Sequence, residues 1–194
     1  MAADLLLLRH GIAAERALGQ PDDGRELTEA GRRRTRAVLE RLVASGLRAD
    51  RLLASPLARA RQTAELAVSA GLAPRLDLAE ALAPGGDPLP LIASWMADLG
   101  GAAQGQAGAG AGRGPGGPGS AAGRGGRRRL ALVGHEPDLG TLAARLIGAA
   151  PGSIDLRKAG LAVLRLPGPA IPGGLEGRAR LRLLIAPRLL LPGG

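Results

Sequence analysis

The chain holds two histidines, and each follows an aliphatic run that reads as a buried strand: Leu5-Leu6-Leu7-Leu8-Arg9-His10-Gly11 near the start and Leu130-Ala131-Leu132-Val133-Gly134-His135-Glu136 far downstream. Open α/β sheets gather ligand groups in the crevice beyond the carboxyl ends of parallel strands, so two imidazoles at two such ends are expected to face one site. Arg9 lies beside His10, and Arg59 falls one turn into a helix after the second strand. Two guanidinium forks neutralise phosphoryl oxygens without a metal, so the chemistry indicated is phosphate handling. A neutral imidazole is a nucleophile toward phosphorus, and clustered positive charge is expected to hold His10 unprotonated near neutrality. His135 fits a hydrogen-bond donor to the phosphate, protonated while the anion is bound. No Asp-rich or His-rich spacing accompanies the pair, so metal-assisted hydrolysis gains little support, and no cofactor is expected.

The elements needed to position these groups follow from the pattern of apolar and turn-forming residues. A strand over 4–9 leads into a loop through Gly11, Gly19, Pro21 and Gly24. Thr28 is a natural cap for a helix reaching Ser45, with Ala37, Val38, Leu42 and Val43 at helical spacing. Arg51–Ala54 reads as a second strand, and Ser55-Pro56 opens a helix with proline at its first position. A third strand over 74–78 leads to Glu80, and a helix runs from Asp87-Pro88 to Leu99. A strand over 129–134, a helix from Pro137-Asp138 to Ile147, and strands over 161–166 and 179–186 complete the series. Strands alternating with helices predict a three-layer α/β/α sandwich around a mainly parallel sheet, with an antiparallel edge.

At 194 residues and 45% hydrophobic content, the chain fits one domain. Phe and Tyr are absent and Trp95 is the only aromatic, so aliphatic side chains must fill the core. Cysteine is absent too, which excludes disulfides and thiol chemistry. With neither a leader pattern nor a long apolar run, the chain reads as soluble and cytoplasmic, with no membrane partner. Residues 100–128 are nearly all Gly, Ala, Pro, Gln, Ser and Arg, a composition expected of a disordered insertion within the single domain 1–194. Arg113, Arg124, Arg127, Arg128 and Arg129 carry much of the net charge of +9. That tract lacks the interleaved aromatics that stack on bases, so nucleic acid is disfavoured as a partner.

Three segments together resemble a known family: Leu8-Arg9-His10-Gly11, then Ser55-Pro56-Leu57-Ala58-Arg59-Ala60-Arg61-Gln62-Thr63-Ala64, then Gly134-His135. The ordered triple is similar to the histidine phosphatase superfamily, also called phosphoglycerate-mutase-like. Gly134-His135-Glu136-Pro137 and the short architecture resemble the small SixA-type phosphohistidine phosphatases in particular. The resemblance implies His10 as the phosphorylated nucleophile, with Arg9, Arg59 and His135 completing the phosphate pocket. It also implies an acidic proton donor, and Glu80 matches the usual position. Phosphohistidine brings a good leaving group of its own, for which a strong donor is dispensable. The ordered sequence between Glu80 and Leu99 has room for little more than one helix, so no large helical lid is expected and the open site should admit a phosphorylated protein side chain.

The expected activity is therefore a metal-independent phosphatase acting on phosphohistidine in a protein partner. Two alternatives stand beside it: a phosphatase of a small phosphorylated metabolite or nucleotide, and a non-catalytic phosphoprotein-binding or RNA-binding module on the same fold. Arg61, Glu15, Glu136 and Asp138 read as solvent-facing, capping or ion-pair residues. Ser55 needs no role beyond Ser-Pro before a helix, and Lys158 reads equally as a turn residue or as one that approaches the site.

Overall fold

The computed structural model describes residues 3–16, 19, 22–105, 127–168 and 174–191. In chain order these form strand β1 (Ala3–Arg9), helix α1 (Glu29–Ala44), β2 (Arg51–Ala54), α2 (Ala58–Ser69), β3 (Leu76–Leu78), a 3-10 turn (Glu80–Leu82), α3 (Leu89–Gly105), β4 (Arg128–Gly134), α4 (Asp138–Ile147), β5 (Leu161–Leu166), β6 (Arg180–Ile185) and a second 3-10 turn (Pro187–Leu189). The six strands lie in the order β3-β2-β4-β1-β5-β6. The first four are mutually parallel, and β5 runs antiparallel to both β1 and β6. This is the expected α/β sandwich with an antiparallel edge. Among the described residues, no helix is long and apolar enough to cross a membrane.

Both faces of the sheet are covered, which explains why β1 and β4 are continuous aliphatic runs rather than alternating ones. Leu5 and Leu7 of β1 pack on one side with Ile92, Trp95 and Met96 of α3 and Leu139, Leu142 and Leu146 of α4. Leu6 and Leu8 pack on the other with Val38, Leu39 and Leu42 of α1 and the alanines 60, 64 and 67 of α2. Each fully buried leucine contributes about 1.5–3 kcal/mol, so the strand that carries His10 is among the most strongly held parts of the molecule.

Local chemistry sets the helix ends. The Thr28 hydroxyl accepts the Gly31 backbone N–H at 2.9 Å, the capping role expected of it. Gly31 itself is required by packing, because a Cβ there would strike the Ile12 carbonyl.

Two boundaries differ from the expectation. α2 starts at Ala58, not at Pro56, because Ser55 still bonds into the sheet, its N–H donating to the Val133 carbonyl at 3.0 Å. α3 starts at Leu89 and runs on to Gly105, where the sequence predicted an end at Leu99. The apolar face centred on Trp95 anchors the helix, and Ala102, Ala103 and Gln104 are good enough helix formers to carry the backbone further. With β4 beginning at Arg128, the tract expected to be disordered is narrowed at both ends. Its centre, 106–126, lies outside the described residues.

α3 returns toward the amino ends of the strands. Trp95, Asp98 and Leu99 border a cleft with Asp50, Arg51 and Arg128, the residues at or next to the starts of β2 and β4. The connection from α3 to β4 therefore joins the body of the protein at one end of the sheet, and the two histidines stand at the other.

Candidate functional site

Sheet register brings the histidines together. β4 lies directly beside β1, with Arg9 paired to Gly134, so His10 and His135 leave adjacent strands at the same level. The His10 N–H donates to the Gly134 carbonyl at 3.1 Å, and the two ring centroids are 5.2 Å apart. β2 flanks β4 on its other side, which sets Ser55 beside His135.

The His10 ring has one committed nitrogen. Nδ1 stands 2.7 Å from the Gly11 carbonyl, an acceptor only, so Nδ1 carries the proton and the lone pair sits on Nε2. Gly11 is held in turn by its N–H donating to the Thr63 hydroxyl at 3.0 Å, and Thr63 donates to the Arg59 carbonyl at 2.7 Å. A Cβ on Gly11 would fall on the Thr35 hydroxyl, so any larger residue would have to displace that side chain. The neighbouring Gln62 accepts the Leu27 N–H at 2.8 Å and closes the loop that follows β1. The Gln62-Thr63 pair thus secures the loop that aims His10.

Burial dominates the electrostatics. It pulls His10 down from 6.5 to about 3, opposed by the bond to Gly11 and reinforced by the charges of His135, Arg59 and Arg9. His135 falls to about 4, again mainly through burial, with Arg59 adding, Asp22 opposing, and Arg25 and Arg9 adding further. The expected depression of His10 is observed, but desolvation leads it and clustered charge comes second.

Arg59 is 3% exposed, and its guanidinium donates to Asp22 twice, through NH1 to the backbone carbonyl and through NH2 to the carboxylate, both at 2.7 Å. Arg25 also holds Asp22 at 2.8 Å. Burial opposes ionisation of Asp22, yet the Arg59 bond and the charges of Arg59, Arg25 and Arg16 hold its carboxyl below the usual range. Arg9 donates to the Leu156 carbonyl at 2.7 Å. His135 Nε2 is 2.8 Å from the Ser55 hydroxyl, which also accepts the Leu57 N–H at 3.3 Å. Among the described residues, Arg9 Nε, Arg59 Nε and His135 Nδ1 are buried without a partner. Such atoms cost about 1–3 kcal/mol each, and the two guanidinium nitrogens are of the type that bonds an anion.

The loop after α4 completes the wall. The Ala159 N–H is shared between the Arg9 and His10 carbonyls at 3.1 Å each, with Ala159 at φ 60°. A left-handed alanine costs about 1–2 kcal/mol, so the surrounding bonds over-determine it. Glu136 ties the same loop from the other side by accepting the Leu156 N–H at 3.1 Å. Burial raises its pKa, countered in part by that bond.

The fold therefore gathers Arg9, His10, Arg59 and His135 at one end of the sheet. Glu80 opens the 3-10 turn after β3 at that same end, since the Ala79 N–H bonds to the Ala54 carbonyl at 2.9 Å. It is exposed and makes no hydrogen bond or ion pair with the other four. Ser55 and Asp22, contacts of His135 and Arg59, were not identified from sequence. Ser-Pro reads as a helix start, and nothing local ties Asp22 to a residue so far along the chain. Glu136 accepts the Leu156 N–H, Asp138 in the first turn of α4 accepts the Gly85 N–H at 3.2 Å rather than capping its own helix, and Arg61 pairs with Glu65 at 3.9 Å. Among the described residues, no group of three or more His, Cys, Asp or Glu side chains could hold a metal ion.

Residues 5–82 match the family model described as "Histidine phosphatase superfamily (branch 1)". An uncharacterized protein of Picosynechococcus sp. is 36% identical over 190 residues, covering 97% of this chain and 99% of its own. The chain belongs to the histidine phosphatase superfamily. Among solved structures, the protein histidine phosphatase SixA complexed with tungstate is similar with a TM-score of 0.70 at 22% identity, over 97% of this chain and 99% of that one. A mutant phosphoserine phosphatase from Entamoeba histolytica, solved with phosphoserine, is similar with a TM-score of 0.59 at 16% identity, over 97% and 100% of the two chains. At these identities the likeness is one of fold, and it extends from the matched first half of the superfamily domain through β4 to β6.

Proposed function

We propose that this histidine phosphatase is a metal-independent enzyme that carries its substrate's phosphoryl group on His10 and that its substrate is phosphohistidine in a protein partner. The observation that carries the mechanism is the orientation of His10: Nδ1 is committed to Gly11, Nε2 keeps a free lone pair, and the ring stays neutral at physiological pH. Arg9 and Arg59 neutralise the phosphoryl oxygens, and His135, which takes a proton from solvent and keeps it while the anion is bound, donates to one of them. Nε2 forms the bond to phosphorus as the bond from phosphorus to the leaving atom breaks. The departing group takes the electron pair and a proton. Water then attacks the phosphohistidine, the P–Nε2 bond returns its electrons to the imidazole, and inorganic phosphate leaves. Glu80 at the rim fits the proton donor for poor leaving groups, and an imidazole leaving group needs it least.

For the substrate, two points favour a protein. Among the described residues only a 3-10 turn and the one helix α3 stand between β3 and β4, and the fold is similar to the protein histidine phosphatase SixA. In the His10→Ala variant, turnover of para-nitrophenyl phosphate and of a phosphohistidine peptide should drop by roughly a thousandfold or more, with no acid-labile phosphoenzyme trapped. Undiminished activity would refute the mechanism. Turnover of phosphoserine peptides or sugar phosphates ahead of phosphohistidine would overturn the substrate and leave the mechanism standing.

A further inference from the structure

A cleft of about 540 Å³ borders Arg9 and is lined by Arg9, Arg34, Arg157, Lys158 and Arg188 together with Ile12 and Pro187, with neither histidine in its wall. Its size suits a ligand group rather than a single ion. The cations come from separate places: Arg34 from α1, Arg157 and Lys158 from the loop after α4, and Arg188 from the turn after β6. No carboxylate lines it among the described residues. Asp155 stands nearby and engages Arg9 at 3.9 Å and Arg157 at 3.8 Å, while Arg34, Lys158 and Arg188 form no ion pair with any described residue. On α1, Arg32 pairs with Glu26 and Arg33 with Glu29, while Arg36 and Arg41 share with Arg34 the lack of an ion pair to any described residue; what sets Arg34 apart is its place on the cleft wall beside Arg9.

The cleft is also fixed to the phosphoryl pocket. Leu156, Ala159 and Gly160 all bond to Arg9 or His10, and Ala159 is held in its left-handed conformation by those bonds. The two residues between, Arg157 and Lys158, are therefore presented at a set distance from the reacting histidine. Strained backbone beside a site points to a position that matters for ligand geometry.

The geometry points to a second anion subsite that takes carboxylates flanking the phosphorylated side chain of an acidic protein, an inference that rests on the phosphatase reading above. Unpaired cations exposed around a concave wall attract and register an acidic segment, and they do so mainly through binding. A protein segment fits better than a small polyanion because nothing among the described residues closes over the cleft.

The test uses the full chain and three phosphohistidine peptides whose flanks are Glu-rich, Gln-rich or Lys-rich. At low salt the Glu-rich peptide should show a KM lower than the Gln-rich one by about tenfold, fading as salt rises, with kcat alike. In the combined variant Arg34→Gln, Lys158→Gln, Arg188→Gln that difference should vanish while para-nitrophenyl phosphate turnover holds. The charge-keeping variant Arg34→Lys, Lys158→Arg, Arg188→Lys should restore it, which separates charge from misfolding. Equal KM for acidic and neutral peptides in the wild type would overturn the subsite with the phosphatase intact. A variant that loses sugar bisphosphate turnover but still prefers the Glu-rich peptide would overturn it in favour of a small ligand. Failure of the wild type to turn over para-nitrophenyl phosphate would sink the underlying reading instead.

Discussion

The two ends of β1 solve the same electrostatic problem in opposite ways. At its start, the buried carboxylate of Asp4 is ringed by Arg165 at 2.5 Å, Arg129 at 3.7 Å and Arg127 at 3.9 Å, so internal positive charge meets internal negative charge. At its other end, Arg9, Arg59 and His135 stand around His10, each with one buried nitrogen that no described residue satisfies. Asp22 answers only part of the charge on Arg59. The first end is complete as folded, and on the function proposed above an anion from outside completes the second. One is expected to govern stability and the other turnover.

The sharpest way to break this comparison is a pair of substitutions. Asp4→Ala should cost about 3 kcal/mol in urea unfolding by stranding the arginines around it, with little change in KM for a phosphoester. Arg59→Lys should leave unfolding nearly unchanged and lower kcat/KM by about a hundredfold, since an ammonium cannot offer a planar fork. If both variants lost stability and activity together, the two ends would not be separable.

Acid titration gives the next largest effect. His10 and His135 have folded pKa values of about 3 and 4 against 6.5 for the free side chain. Above 6.5 both folded and unfolded chains hold them neutral, and stability is flat. As pH falls through 6.5 the unfolded chain takes up protons that the folded one refuses, so stability falls until the folded values are reached. About 3 kcal/mol should be lost between pH 6.5 and 5, measured by urea unfolding. The double variant His10→Asn, His135→Asn should flatten that slope. The arginines of the basic cleft stay charged throughout and contribute nothing to it. A wild type and double variant with equal slopes would show that the histidines are not held neutral by the fold.

The smallest effect concerns Asp22. Asp22→Asn removes the carboxylate competing for Arg59, and inorganic phosphate should then inhibit at a concentration lower by about threefold. Weaker inhibition would instead make Asp22 a residue that positions the guanidinium.

What the sequence reveals here depends on how local the cause is. The strand-ending histidines, the Thr28 cap and the antiparallel edge follow from periodicity and turn chemistry within a few residues. The meeting of His10 with His135 needs β4 to insert beside β1, a sheet order that motif resemblance implies and periodicity does not. The contacts Ser55 to His135 and Asp22 to Arg59 join residues far apart in the chain, with no local pattern to announce them. The end of α3 was missed for another reason: glycine-rich composition argues against helix, but a helix already anchored by Trp95 and Met96 propagates at little further cost.

Asp98 and Leu99 of α3 and Arg128 of β4 border one cleft at the amino ends of the strands, opposite His10 and His135. A fluorescent label carried on Asp98 or Arg128 would therefore report on the far end of the sheet and leave the reacting face unobstructed.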